Sequence, residues 1–128
     1  MAVIQKETIR TSTVAIAGGE SLSTSSGELD GRLIGVTTDA AWDTQAMTFQ
    51  ASTDGTNFFN LYNQGTEYSL AGVVASAHNR VDVNVFLGVR YVKVRSGTAA
   101  SAENQGDATT VTLVYWKIDE DGGRAILV

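Results

Sequence analysis

The chain has 128 residues, no cysteine, no proline and a formal net charge of −5 at neutral pH. This length predicts one domain, over residues 1–128, that can bury a core of its own. The lack of cysteine excludes a disulfide scaffold and thiolate metal sites, and an acidic chain without a Lys/Arg cluster argues against a nucleic-acid partner.

The amino-terminal segment, MAVIQKETIR, carries charges where a secretory signal peptide needs an apolar core. No later stretch approaches the 18 or so consecutive apolar residues of a membrane span. We therefore expect a protein that is made in a cytoplasm and that has no membrane partner.

Short apolar alternations follow, at intervals of about ten residues, separated by clusters of Gly, Asn, Asp and Ser. The predicted strands are Glu7–Ala17, Glu20–Ser25, Arg32–Thr37, Gln45–Ser52, Phe58–Tyr62, Thr66–Leu70, Arg80–Phe86, Val89–Arg95 and Thr109–Lys117. No segment predicts a helix beyond a single turn, so the long crossovers that parallel strands need are missing. We expect an all-β fold of about eight or nine strands, an antiparallel β-sandwich of jelly-roll type.

Two local features refine these strands. Gly35 lies inside the third strand and predicts a β-bulge. The alternation also predicts a buried face, with the neighbours of each buried residue more exposed. The residues expected in the core are Met47, Phe49, Val83, Val92, Val94, Val111 and Leu113.

The stretch TFQASTDGTNFF, Thr48–Phe59, contains the pair Asp54-Gly55 between two strands. A hairpin corner is the favoured interpretation, because Asp and Gly both tolerate the positive φ of tight turns. A calcium site would need several carboxylates on one loop. The acidic run Asp119–Gly123 also lacks the spacing of a calcium loop and predicts a solvated turn.

The candidate catalytic groups are few. His78 is the one histidine, without a nucleophile motif or metal-ligand spacing around it, and a surface loop is the favoured interpretation. The segment Ala17–Gly19 lacks the Lys of a phosphate-binding loop. We therefore predict no catalytic, cofactor or metal residues and no enzyme activity. Scattered carboxylates could still face each other across a cleft, as in a glycosidase, and the sequence leaves this alternative open.

Two tryptophans are candidates for stacking on a sugar ring. Trp42 lies in a predicted loop, where we expect it to be partly exposed, and it is the better candidate of the two. Trp116 lies late in the last long strand. Large aromatic residues are more often found in a core or an interface, which is the alternative for both.

The chain ends with the apolar residues Ile126, Leu127 and Val128 after a Gly122-Gly123 pair. One interpretation is a final edge strand of the same domain. The other is an interface, in which the three side chains pack on a neighbouring subunit or on a larger assembly.

The segments TFQASTDGTNFFNL and VRYVKVRSGT, with AAWDTQAMTFQAS before the first, resemble small β-sandwich proteins of tailed phages and gene transfer agents. The similar proteins are head-decoration and head-spike-base proteins, and the resemblance covers about Ala40–Val114. It implies a structural virion protein that binds capsid or spike and fibre subunits without catalysis. It also implies a homo-oligomer, with a trimer as the first expectation, located in the virion.

A second resemblance is to galactose-binding-like, or discoidin-like, jelly rolls. The matching positions are Ser52, Asp54, Gly55, Phe58, Arg90, Tyr91, Val92, Val94 and Arg95. In that family these positions are largely framework, so the resemblance implies the fold and only a class of function. The alternative function is a carbohydrate-binding module with a glycan partner, which a virion protein could combine with host-glycan adhesion.

Overall fold

The computed structural model describes residues 3–4, 6–119 and 126–127, with side chains for residues 8–117. The strands are β1 (Val3–Ile4), β2 (Lys6–Ile16), β3 (Gly27–Glu28), β4 (Arg32–Thr38), β5 (Gln45–Ser52), β6 (Phe59–Asn60), β7 (Tyr62–Asn63), β8 (Thr66–Glu67), β9 (Ser69–Val73), β10 (His78–Arg80), β11 (Tyr91–Ser96), β12 (Thr109–Asp119) and β13 (Ile126–Leu127). A 3-10 helix spans Val83–Phe86. In the described part of the chain no helix has the length and hydropathy to cross a bilayer.

The strands form two larger sheets in which every pairing is antiparallel. One sheet has the order β10-β4-β12-β2, and the other has the order β3-β11-β5-β6, with β9 also paired to β5. Two small ladders, β1-β13 and β7-β8, and two isolated bridges complete the pairing among the described residues. The expected all-β, antiparallel fold is therefore confirmed.

One apolar cluster takes side chains from both larger sheets. Val36, Val111 and Leu113 come from the first sheet, and Phe49 and Val94 come from the second; each is 0% exposed. Burial of such a side chain contributes about 1.5–3 kcal/mol, so this cluster is the main stabilising element. Six of the seven predicted core residues are buried here, and Val83 is the exception.

The long alternating strands were predicted well. β5 spans the predicted residues, and β2, β4, β11 and β12 differ from prediction by one or two residues at an end. The pairing of β12 with β4 shifts register where Val114 faces Gly35 and Tyr115 faces Leu33, which confirms an irregularity at Gly35. The predicted strand Glu20–Ser25 is wrong, since only Leu22 makes an isolated bridge there.

The predicted strand Arg80–Phe86 is also wrong. Its first residue ends β10, and the 3-10 helix follows. The Asp82 side chain accepts a hydrogen bond from the Asn84 N–H at 3.0 Å, which closes a turn at the start of the helix. Because Val81 and Phe86 are the buried apolar residues, Val83 is left half-buried. An alternation of valine with Asp and Asn is compatible with a strand and with a 3-10 helix. The hydrogen bond from the Asn84 N–H to the Asp82 side chain favours the helix.

The second sheet is partly covered on its outer face, so two residues expected to be more exposed are buried. Thr48 is 0% exposed and donates from Oγ1 to the Gly97 carbonyl at 2.8 Å. Arg95 is 7% exposed, and its guanidinium contacts Asn60 at 2.7 Å and Glu67 at 3.5 Å. The chain between β5 and β9 thus folds over part of this face.

The long polar segment between β11 and β12 is organised around one buried amide. Gln105 is 0% exposed; its Oε1 accepts from the Asp43 N–H at 2.6 Å, and its Nε2 donates to Ser96 Oγ at 2.8 Å. Its backbone also bonds with Gly19 and Glu20. The side chain thus fixes the loop to β11 and to the connection between β4 and β5, and the backbone fixes it to the segment after β2.

Candidate functional site

The corner between β5 and β6 is held by the side chains of Ser52 and Asp54. Ser52 Oγ accepts from the N–H groups of Asp54 and Gly55 at 3.2 and 2.9 Å and donates to Asp54 Oδ1 at 2.9 Å. Asp54 Oδ1 accepts from the N–H groups of Thr56 and Asn57, both at 2.8 Å, and Asp54 Oδ2 accepts from Asn57 Nδ2 at 2.8 Å. We call residues 52–57 the Asp54 corner.

These bonds determine the chemistry of the carboxylate. Hydrogen bonds from the N–H groups of Asn57 and Thr56, and then from the Asn57 side chain, hold the pKa of Asp54 far below its usual value. The interpretation of Asp54-Gly55 as a hairpin corner is confirmed, since the flanking strands pair and Gly55 has a φ of 79°. A side chain at Gly55 would also lie 3.2 Å from the ring of Tyr91.

An open groove of about 500 Å³ lies beside the Asp54 corner. Its other wall is the turn after the 3-10 helix, Leu87–Val89. Its lining residues are Ala51, Ser52, Thr53, Asp54, Asn57, Phe59, Asn60, Leu87, Gly88 and Val89. Phe59 is 71% exposed and Leu87 is 52% exposed, so the groove offers apolar surface to a ligand. We call it the Phe59 groove.

Two asparagines of the groove have one end of the amide fixed. Asn57 donates from Nδ2 to Asp54, and the described atoms offer no hydrogen bond to its Oδ1. Asn60 Oδ1 accepts from Arg95 Nη2 at 2.7 Å and from Gln50 Nε2 at 3.3 Å, while its Nδ2 donates to none of the described atoms. One acceptor and one donor therefore remain for a ligand, on side chains that are already oriented.

Of the groove residues, the sequence points only to Ser52 and Asp54, as a turn and as framework positions, although one further signal is present. Phe59 begins the paired strand β6 and Phe58 directly precedes it, and successive residues of an extended chain point to opposite faces. Phe58 is half-buried under Lys93, whose Nζ lies 4.7 Å from the ring centroid. Phe59 is therefore the aromatic residue that faces solvent.

A second exposed surface lies on the outer face of the first sheet. Trp116 pairs with Ile9 on β2 and with Arg32 on β4. Trp116 is 36% and Ile9 is 54% exposed. A depression of about 340 Å³ beside the indole is also lined by Arg80. Among the described side chains neither Arg32 nor Arg80 forms an ion pair. We call Ile9, Arg32, Arg80 and Trp116 the Trp116 face.

Trp42 is not at a surface, and the expectation that it is partly exposed is wrong. It is 2% exposed, and its Nε1 donates to the Val73 carbonyl at 2.9 Å. The turn that begins at Asp39 directs the indole inward, since the Trp42 N–H donates to the Asp39 carbonyl. Its ring faces belong to the core and are covered, so they are not accessible for stacking on a sugar.

His78 lies on edge strand β10 and is exposed. Its Nδ1 is 2.8 Å from Thr37 Oγ1, and its ring lies over Gly35, where a Cβ would come within 2.6 Å of it. This is a strand position at the surface, where we expected a surface loop. Among the described residues no three His, Cys, Asp or Glu side chains lie close enough together to hold a metal ion.

The predictions for the carboxyl terminus fall partly outside the described residues. Asp119 ends β12, and the rest of the acidic run, 120–123, lies outside them. Ile126 and Leu127 form β13, paired with β1 through Ile4 and Val3, and Val128 lies outside. The backbone pairing fits the edge-strand interpretation, while the interface interpretation concerns side chains outside the described set.

No model of a known protein family matches this chain, and no curated protein is significantly similar to it in sequence.

Proposed function

We propose that this chain is a non-enzymatic structural protein of a phage or phage-like particle, located in the virion. In this proposal it is a capsid-decoration protein or the base of a head spike or fibre, and its partners are capsid, spike or fibre subunits. The basis for the virion is the resemblance of Ala40–Val114 to such proteins. The proposal includes a single jelly-roll β-sandwich over residues 1–128, supported by the apolar cluster that both larger sheets share, and a homotrimer.

The observation that supports protein binding is the Trp116 face. An indole and an isoleucine on paired strands are exposed beside two arginines, which lie on the next two strands and have no described ion pairs. Trp and Arg are the residues that most often dominate the binding energy of protein interfaces. Apolar side chains in such a patch are stabilised when a partner removes them from water.

The test replaces Trp116 with Ser. Light scattering measures the mass of the protein in solution, and co-sedimentation measures its binding to particles purified from a culture that encodes it. We expect Trp116→Ser to weaken the affinity for particles, or the affinity of self-association, at least tenfold. Truncation of a dominant aromatic residue costs about 2 kcal/mol or more.

The matched control is Tyr62→Ser, since Tyr62 is 53% exposed and lies on β7, outside the Trp116 face. This control should bind as the unmodified protein does. A protein that is monomeric and does not bind the particles, or a Trp116→Ser variant indistinguishable from the control, contradicts the proposal.

The second candidate function is a carbohydrate-binding module. The Phe59 groove favours it, because an exposed aromatic ring beside amide groups is a combination that suits a sugar. The two functions use different surfaces, so one protein can carry both.

A further inference from the structure

We propose that the Phe59 groove binds a neutral saccharide, with one pyranose ring against Phe59 and Leu87 and its hydroxyls hydrogen-bonded to Asn57 and Asn60. The inference rests on the second candidate function and names the ligand class and the contacts. It is independent of the location of the protein on a particle.

The apolar half of the site consists of Phe59 and Leu87, and Val89 also lines it. A pyranose ring carries C–H groups on its faces and hydroxyls around its edge. An exposed aromatic ring accommodates such a face, because the contact removes apolar surface of both partners from water. The groove volume, about 500 Å³, falls within the range of about 300–1,000 Å³ for small-molecule sites.

The polar half of the site consists of an acceptor and a donor. Asn57 keeps Oδ1 for a ligand because Asp54 takes its Nδ2, and Asn60 keeps Nδ2 because Arg95 and Gln50 take its Oδ1. A sugar hydroxyl both donates and accepts, so two neighbouring hydroxyls satisfy both amides. The fixed amides need little further ordering when they bind, and this lowers the entropic cost of association.

The charge of the lining selects against acidic sugars. Asp54 lines the groove, and its hydrogen bonds hold its pKa low, so the carboxylate stays ionised at neutral pH. The described lining contains no Lys, Arg or His. A uronate, a sialic acid or a phosphate group would therefore meet a negative charge without a compensating cation, whereas a neutral ring meets no such penalty.

The first experiment measures binding by the full chain. The probes are the methyl pyranosides of glucose, galactose, mannose, N-acetylglucosamine and fucose, with methyl glucuronide and sialic acid as anionic probes. Saturation-transfer NMR detects contact, and titration calorimetry gives affinity. We expect at least one neutral probe to bind, and the anionic probes to bind at least tenfold more weakly. Binding by none of the neutral probes, or equal binding of the anionic ones, overturns the proposal.

The second experiment locates the site with two variants. Phe59→Ala removes the exposed ring, and Asn60→Asp keeps an oxygen for Arg95 while it removes the Nδ2 donor. Both should lower the affinity for the bound probe at least tenfold, with the melting temperature little changed. Tyr62→Ala removes an aromatic residue that is 53% exposed but does not line the groove, and it should keep full affinity.

The outcomes separate this inference from the structural role. If Phe59→Ala leaves sugar affinity unchanged but reduces oligomeric mass, the groove is a protein contact and the inference is wrong. If Phe59→Ala abolishes sugar binding while Trp116→Ser has no effect on particle binding, the groove inference stands and the virion proposal fails.

Discussion

The Ser52 hydroxyl and the Asp54 carboxylate fix the turn beside the Phe59 groove. Ser52 is 4% exposed and Asp54 is exposed to solvent, yet both make several hydrogen bonds within six residues of chain. Local side-chain bonds of this kind replace the backbone pairing that a turn gives up. The turn is therefore defined by side-chain chemistry more than by packing.

This chemistry predicts a pH dependence of stability. The pKa of Asp54 is lower in the folded protein than the value of about 3.9 expected in an unfolded chain. Its stabilising effect is then fully present above pH 4 and is lost as the pH falls below it, because the unfolded state takes up the proton first. Asp54→Asn removes the charge but keeps an oxygen for the N–H groups of Thr56 and Asn57.

The measurement is the melting temperature of both proteins from neutral pH to about pH 2.5. We expect the unmodified protein to melt higher at neutral pH and the difference to shrink below about pH 4. Asp30 and Asp39 also have lowered pKa values, and they contribute equally to both curves, so the difference isolates Asp54. Asp107→Asn, at an exposed position, controls for net charge. A difference that stays constant with pH would refute the assignment.

The elements with regular alternation are the ones that sequence predicts. In β5, Met47 and Phe49 are both buried, and in β12, Val111 and Leu113 are both buried, as a period of two requires. The exceptions arise where another segment supplies a contact that no local pattern encodes. Thr48 is buried, and its Oγ1 donates to the carbonyl of Gly97, 49 residues further along the chain.

The loop between β11 and β12 is held in place by Gln105, and a substitution there tests this role. Gln105→Leu keeps the approximate volume but leaves the Asp43 N–H and Ser96 Oγ without their partner. The bond to Ser96 is buried and the bond to the Asp43 N–H is partly buried. A buried polar group left unpaired costs about 1–3 kcal/mol, so we expect a loss of unfolding free energy of at least about 1 kcal/mol. Urea denaturation measures it. Asn104→Ala, at the exposed neighbour, is the control and should change little; equal stability of the two variants would contradict the role of Gln105.

At the scale of the whole molecule, the groove shows why a site is harder to predict than a strand. Its walls come from Ala51–Asn60 and from Leu87–Val89, and no spacing within either segment indicates that they meet. The turn at Asp82 that the alternation missed is what leads the second segment to its place. Likewise, Trp42 and Trp116 have the same side chain and opposite exposure, because neighbours distant in sequence determine burial.

The chain end can be tested as a whole. Deletion of Arg124–Val128 removes β13 and its pairing with β1. We expect the domain to stay folded and self-association or particle binding to weaken. At about 25 cal/mol per Å² of buried apolar surface, three apolar residues at a contact contribute several kcal/mol, before the cost of ordering the tail is subtracted. Light scattering and a thermal melt measure the two properties. Unchanged mass and particle binding would show that the tail is no interface, and a collapsed melt would show a strand of the core.

The pairing of Val3 with Leu127 also has a mechanical consequence. β1 and β13 form a two-stranded antiparallel ladder of their own, and next along the chain β2 and β12 pair from Lys6–Asp119 to Ile16–Thr109. Hydrogen bonds in such a ladder lie perpendicular to the strands. A force that pulls Val3 and Leu127 apart therefore acts on one hydrogen-bonded pair at a time. The ladder then opens like a zipper, at a far lower force than it would bear in shear. A tether at Val3 or at Leu127 alone puts no force on these hydrogen bonds, whereas tethers at both would peel β2 away from β12.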